Sequence, residues 1–200
     1  MVKMKKIYFV TGNGGKVTTL QCRLEKYGIN VEQKKLDLIE LQSDDIKKIS
    51  LSKAEQAHAI LKSPLIVDDS GFFIECLNGF PGVYTRFILD TIGIEGIMDL
   101  MNGKENRNCG FRSVATFIDV TGKAHVFEGH FEKGTIAIEV DSDEREEAWS
   151  ALWKIYIPDG YDKTLSQFTP QERSERKVIT ENCIAFAKFA EWVSTNTHVL

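Results

Sequence analysis

The sequence predicts an α/β protein with a mixed central sheet and flanking helices. The first reason lies near the N-terminus, where the apolar run Ile7 to Val10 leaves through Thr11-Gly12-Asn13-Gly14-Gly15 into a segment with Val17, Leu20 and Leu24 at three and four residue spacing. That is a buried strand handing over to a helix buried on one face. A more polar strand over Ile29 to Leu38 follows, and this order makes an α/β unit. The second reason is the pair of runs Phe111 to Val120 and Ala124 to Phe131, split by Thr121-Gly122-Lys123, which read as an antiparallel hairpin with an aromatic face. The third is size and composition: 200 residues, 42% hydrophobic and 27% charged, exclude a disordered or fibrous chain. A chain of this length needs no disulfide or metal staple, since folding removes roughly 70% of its unfolded surface from water. The economical architecture is one domain over residues 1–200, with two lobes around a cleft.

The other elements follow in order. The first helix should end near Tyr27-Gly28. Ser52 with Glu55 three residues later is a capping box that signals a second helix, with Leu51, Ala54, His58 and Leu61 near one stripe and Ser63-Pro64 as its stop. Leu65 to Val67 is a buried strand that ends in Asp68-Asp69-Ser70-Gly71. Helices are predicted over Tyr84 to Ile92 and Ile94 to Met101, the latter with Thr91 as a candidate cap. Gly134 to Val140 reads as a further strand, followed by the acidic run Asp141 to Glu147. Thr169-Pro170-Gln171-Glu172 combines a cap, a proline at the first helical position and an acidic third position. The last long helix should cover much of Ser174 to Val193, burying Ile179, Cys183, Phe186, Ala190 and Val193. Ser194 to Leu200 is expected to be a flexible tail.

Lysine plus arginine number 25 against 29 acidic residues, a formal charge of -4. That balance gives no general attraction to polynucleotides or anionic membranes, although a local basic pocket is compatible with it. Ile7 to Val10 is too short for a signal-peptide core, and no stretch approaches the roughly 20 apolar residues of a membrane helix. Cys22, Cys76, Cys109 and Cys183 form no CxxC pair, so reduced thiols in a soluble cytoplasmic protein are expected.

Three segments carry candidate chemistry, each with a plain structural alternative. Thr11 to Lys16 sits where a strand becomes a helix: glycines let a phosphate approach, the helix start offers unpaired N–H groups, and Lys16 adds charge. It is neither a Walker A sequence nor a dinucleotide fingerprint, and a glycine-softened turn with an exposed lysine is the alternative. Asp68-Asp69-Ser70-Gly71 places two carboxylates at a predicted strand end, where a divalent cation would offset their repulsion; turn caps are the alternative. Gly79-Phe80-Pro81-Gly82-Val83-Tyr84-Thr85-Arg86 fixes a loop and presents a ring and a guanidinium suited to a carboxylate or phosphate; a structural loop explains it equally well.

Taken together, TGNGGK at 11–16, DDSG at 68–71, GFPGVYTRF at 79–87 and IPDGYDKT at 157–164 resemble the Ham1-type inosine/xanthosine triphosphate pyrophosphatase family over roughly Lys5 to Thr164. The resemblance implies two α/β lobes around a nucleotide cleft and a homodimer. It implies a magnesium requirement, with manganese as a substitute, and hydrolysis of (d)NTP to (d)NMP and pyrophosphate with preference for deaminated purines. By the same resemblance, Thr11, Asn13, Lys16 and Lys53 would handle phosphates, with Lys16 and Lys53 assisting catalysis. Glu40 and Asp69 would hold the metal with Asp68 in support, and Asp69 would activate water. Ser70, Gly71 and Arg86 would line the nucleotide site. Taken alone, Glu40 and Lys53 read as solvated charges, Thr11 as a strand-end hydroxyl and Asn13 as a turn residue.

The departures fall in the base-reading half. Where the family carries a PRG-like stretch and FGWDP, this chain has Val140 to Lys154, and an ungapped register sets Ser150, Ala151, Leu152 and Trp153 on FGWD. Trp149 or Trp153 could supply the missing stacking ring, although a tryptophan on a helical face is more often core. The family's lysine-asparagine pair and SHR motif fall over Arg173-Ser174 and Lys177-Val178-Ile179; Arg173 could still meet phosphate, while Val178 and Ile179 cannot hydrogen-bond a base edge. Three readings stay open: a deaminated-purine pyrophosphatase, the same scaffold acting on another nucleotide, and a non-catalytic nucleotide sensor or partner protein.

Overall fold

The structure, a computed structural model, is described for residues 5–143, 148, 150–180 and 185–200, with backbone alone over 177–180. The first elements are β1 (Lys5–Val10), α1 (Gly14–Leu24), β2 (Ile29–Lys34), α2 (Ile46–Leu61) and β3 (Leu65–Ile74). After them come β4 (Pro81–Gly82), α3 (Thr85–Thr91), α4 (Gly93–Leu100), β5 (Asn108–Ile118), β6 (Ala124–Glu128) and β7 (Glu132–Ile136). β8 (Tyr156–Pro158), α5 (Pro170–Thr180) and α6 (Ala185–Thr195) complete the chain. The fold is thus mixed α/β, with sheet strands and flanking helices. The chain divides into two compact units, one spanning Met1–Ser70, Ser113–His130 and Ile184–Leu200, the other Gly71–Arg112 and Phe131–Cys183.

In the first unit β1 pairs in parallel with β2, Ile7 opposite Val31, and with β3, Tyr8 opposite Leu65. The later half of β5 pairs antiparallel with β6, Ala115 opposite Phe127. Strand alternation sends Ile7, Phe9 and Ile66 to one face, where Leu20 and Leu24 of α1 and Phe186, Phe189 and Val193 of α6 cover them. Val10, Leu65 and Val67 face the other way, against Ala54 and Ala57 of α2. Each fully buried leucine or phenylalanine contributes roughly 1.5–3 kcal/mol. Gly28, at φ +68°, ends the turn after α1 near the predicted Tyr27-Gly28 boundary. The predicted polar strand stops at Lys34, short of Leu38, and the chain continues as a loop.

Two boundary expectations are corrected in this unit. α2 starts at Ile46, because the Asp45 carboxylate accepts from Lys47 N at 2.9 Å and caps the helix about two turns before Ser52. The Ser52–Glu55 pair is therefore interior to the helix. The polar tail is docked: Val120 N donates to Val199 O at 3.0 Å, Lys5 Nζ to Thr197 O, and Val199 and Leu200 pack on the apolar cluster.

In the second unit β3 meets β4, Phe72 opposite Gly82, and the early half of β5 pairs antiparallel with β7, Cys109 opposite Gly134. β7 continues to β8, Thr135 opposite Ile157. Phe111 packs tilted against Phe72 and edge-on against Tyr156, ring centroids 4.9 and 5.0 Å away, beside a core that includes Ile94, Ile97, Met101, Leu152 and Phe168. Thr91 does not cap α4, since its hydroxyl turns back to Phe87 O at 2.7 Å and Ile92 takes the cap position. The predicted strand over 134–140 is β7, which begins two residues earlier and ends at Ile136. The predicted last helix is helical in both of its described parts, to Thr180 in α5 and from Ala185 in α6, and residues 181–184 lie outside the described residues. Phe186, Ala190 and Val193 are buried as expected, whereas Cys183 and the side chain of Ile179 lie outside the described residues.

β3 carries the correction that matters most for the site. The sequence predicts a strand over Leu65 to Val67; β3 runs unbroken from Leu65 through Asp68-Asp69-Ser70-Gly71 to Ile74. Both carboxylates are therefore mid-strand groups with fixed and opposite directions.

Candidate active site

The turn after β1 is held by its own polar side chains. Asn13 N donates to Thr11 Oγ1 at 3.1 Å, and the Asn13 Oδ1 caps α1 by accepting from Lys16 N at 3.2 Å. Gln33 Nε2 fixes the Thr11 carbonyl at 2.9 Å. The first turn of α1 contains no acidic residue to use its N–H groups. A Cβ at Gly12 or Gly14 would meet nothing within 4 Å, and neither glycine has a positive φ. Packing and backbone geometry thus leave these glycines unexplained, while open backbone at a helix start suits an anion.

Alternation along β3 then sorts the acidic pair. Asp68 and Ser70 point to the α1 face and Asp69 to the α2 face, continuing the register of Ile66 and Val67. Lys16, in the first turn of α1, pairs with Asp68 Oδ2 and reaches Ser70 Oγ at 3.3 Å. Lys53, in the third turn of α2, donates to Asp69 Oδ1 at 2.6 Å and pairs with Glu40 Oε1. Glu40 lies on the loop after β2, which brings it to the same ammonium as Asp69. Two carboxylates from separate parts of the chain thus converge on one cation.

Burial sets the charge states. The Asp68 side chain is 5% exposed, and its carboxyl is raised above the ordinary value by burial, against which Lys16 works. Burial pulls the Lys53 ammonium down, yet the Asp69 charge and the hydrogen bonds from Asp69 and Glu40 outweigh it and hold the group above its usual value. Asp69 Oδ2 is buried without a hydrogen-bond partner, although Oδ1 of the same carboxylate has one. A buried acceptor of this kind is costly unless a cation or donor reaches it.

A divalent cation suits that donor set. Among the described residues no group of three or more His, Cys, Asp and Glu side chains is arranged to hold a metal. Magnesium commonly uses one or two carboxylates, with water and substrate phosphates completing its shell. Glu40 and Asp69 supply that number, and the open oxygen of Asp69 supplies the need. Asp68 is committed to Lys16 and serves as its counter-charge.

The remaining predicted residues lie in the second unit. Gly71 is required by packing: a Cβ there would stand 2.5 Å from the Gly82 carbonyl oxygen. The Arg86 side chain is 92% exposed and pairs with Asp90, one turn on, at 3.3 Å. Arg173 donates to the Phe168 carbonyl. Trp153 is 8% exposed and packs in the core of this unit while also lining its cavity. Trp149 lies outside the described residues. This unit also holds a cavity of about 420 Å³ whose lining includes Ile94, Glu95, Ser150, Lys154 and Ser166. Sequence reasoning missed Arg176, a largely buried guanidinium paired with Glu132 and lowered by burial to about 10. It also missed Gln56, whose amide bonds both backbone groups of Ile39; neither residue carries a sequence signal.

The Ham1 family model matches residues 7–192, nearly the whole chain. The chain belongs to the Ham1 family. It is 40% identical over 191 residues to the dITP/XTP pyrophosphatase of Methanopyrus kandleri, covering 96% of this chain and 97% of that one. It is 35% identical over 191 residues to the dITP/XTP pyrophosphatase of Thermococcus kodakarensis, covering 96% and 98%. The structure of the Staphylococcus aureus Ham1 protein superposes with a TM-score of 0.78 at 22% identity, over 96% of this chain and 100% of that one, a likeness of fold. The Ham1 match contains both lysines, all three carboxylates and the glycine turn.

Proposed function

We propose that this protein is a nucleoside triphosphate pyrophosphatase that converts deaminated purine triphosphates, such as ITP, dITP and XTP, to the monophosphate and pyrophosphate. One observation carries the reading: Asp69 presents a buried, unpartnered oxygen beside a lysine that it shares with Glu40. The substrate class is supported by the two dITP/XTP pyrophosphatases that align end to end with this chain. Magnesium, or manganese in its place, would be held by Glu40 and Asp69 and would neutralise phosphate oxygens as charge builds on the leaving group.

The chain's own groups do the rest. Lys16 and Lys53 lie on opposite faces of β3 and bring two ammonium groups to the triphosphate, with Asp68 fixing Lys16. The N–H groups of Gly14 and Gly15 add uncharged donors from the start of α1. Water gives a proton to the Asp69 carboxylate as it attacks the α phosphorus, the bond from that phosphorus to the bridging oxygen breaks, and pyrophosphate leaves with the electron pair. Groups that meet charge as it develops lower the barrier more than they tighten substrate. A homodimeric assembly belongs to the same proposal.

A second reading, the same reaction on another nucleotide, is favoured by the base-reading segment. Ser150, Ala151, Leu152 and Trp153 occupy the FGWD register, so the family's stacking phenylalanine and base-contacting aspartate are both absent from it. Pyrophosphate release from a panel of ribo- and deoxynucleoside triphosphates, with and without magnesium, decides. Preference for ITP, dITP and XTP supports the first reading, and preference for another base replaces it with the second. Tight nucleotide binding with no product on any member would leave a non-catalytic sensor.

A further inference from the structure

Glu40 is poorly anchored by packing. Leu36 and Leu38 are the last residues of its loop to rest against an apolar cluster; Ile39 is 80% exposed, Leu41 43%, and the Glu40 side chain 73%. Apart from the ion pair of Glu40 with Lys53, residues 35–42 are held among the described residues by two hydrogen bonds, both from Gln56. Its Oε1 accepts from Ile39 N at 2.9 Å, and its Nε2 donates to Ile39 O at 2.9 Å. The reverse orientation of the amide would set donor against donor and acceptor against acceptor, so the pairing fixes its direction. A second contact from Nε2 to Ser52 Oγ, at 3.3 Å, braces the amide against its own helix.

Gln56 stands three residues after Lys53 on α2, on the same face. The stripe of α2 that flanks them is buried through Ile49, Ser50, Ala54 and Ala57, which makes α2 a rigid base. One helix therefore carries both the ammonium that meets Glu40 and the clamp on the peptide just before it. We infer that Gln56 is a positioning residue that holds Glu40 ready for the metal ion and substrate. The inference rests on the reading of Glu40 as a metal ligand. Without the clamp Glu40 occupies its place beside Asp69 for a smaller fraction of the time, and apparent metal affinity falls by that fraction.

The test uses the whole chain, with free Mn²⁺ counted by electron paramagnetic resonance during titration with the metal alone. Gln56→Met keeps the length of the side chain and removes both hydrogen bonds; it should weaken Mn²⁺ binding roughly tenfold, as loss of an outer-shell partner commonly does. The Ile39 amide should exchange with deuterium faster in the same variant. The deciding readout is the background: in Glu40→Gln protein, Gln56→Met should cause no further loss, because Gln56 acts through Glu40. An equal loss in both backgrounds would overturn the inference in favour of a general structural role. Wild-type binding by Gln56→Met, with Glu40→Gln weakened, would overturn it and leave the Glu40 assignment intact. Wild-type binding by Glu40→Gln would remove the assignment and the inference together.

Discussion

Replacing Lys16 with methionine tests the electrostatics of the site without touching the proposed metal ligands. The change leaves Asp68, 5% exposed, without its counter-charge. Removing one partner of a buried pair costs about 3–5 kcal/mol. Lys16 is itself 31% exposed, so water replaces part of what is lost, and about 2 kcal/mol is expected. In a chain of this size that is about 4–8 °C in Tm. The loss should depend on pH. The Asp68 carboxyl already titrates above its ordinary value, because burial disfavours the carboxylate more than Lys16 favours it. In that window the native state keeps a proton that the unfolded chain has released, so stability falls as pH rises and is regained below the unfolded value. Taking Lys16 away pushes the native value further up and widens the window. Urea unfolding at several pH values should show the full deficit of Lys16→Met under mildly alkaline conditions and little of it in mild acid. Lys16→Met/Asp68→Asn should recover most of the stability and none of the turnover. A deficit that is constant with pH, or that persists in the double variant, would refute the pairing.

Other outcomes follow from single contacts. Gly71→Ala should destabilise by about 1–3 kcal/mol in thermal melts, because its Cβ would press on the Gly82 carbonyl. Asp119 accepts from Thr121 N at 2.8 Å, Thr121 Oγ1 at 2.6 Å, Lys123 N at 3.1 Å and His125 Nε2 at 2.8 Å. Burial works to raise its carboxyl, and the His125, Thr121 and Lys123 bonds outweigh burial and hold it far below the usual range. That stability is present above the unfolded carboxyl value and is lost as pH falls below it, so Asp119→Asn should be less stable than wild type near neutrality and nearly equal to it in strong acid. Asp45→Ala should cost about 1 kcal/mol by loss of the α2 cap, read as a lower urea midpoint with unchanged slope.

What was legible in the sequence is the part written in local patterns. The first strand, glycine turn and helix, the hairpin at Thr121-Gly122-Lys123 and the closing Phe186, Ala190 and Val193 stripe all carry periods or turn residues that act over a few positions. Asp68-Asp69-Ser70-Gly71 misled for the same reason: these residue types favour turns, and only the pairing of β3 with its neighbours keeps them extended. The cap at Ser52 misled because Asp45, lacking an apolar run directly after it, is the weaker signature and the stronger cap in place. Lys16, Asp68 and Asp69 were found in local patterns and Glu40 and Lys53 by resemblance, but their pairing was not. Lys16 and Asp68 stand 52 residues apart, and the choice of Asp68 over Asp69 depends on which face of β3 each occupies. Gln56 left no trace in the sequence because a lone, half-buried glutamine on a helix has no pattern of its own.

The most direct test of the account is the rate of pyrophosphate release from ITP and XTP by wild type and Asp69→Asn, at saturating magnesium, with both folds checked by thermal melts. The account predicts release by the wild type and a loss of about a hundredfold or more in the variant, the scale on which removal of one preorganised electrostatic group acts, with the fold retained. Equal turnover in a folded Asp69→Asn protein would contradict it.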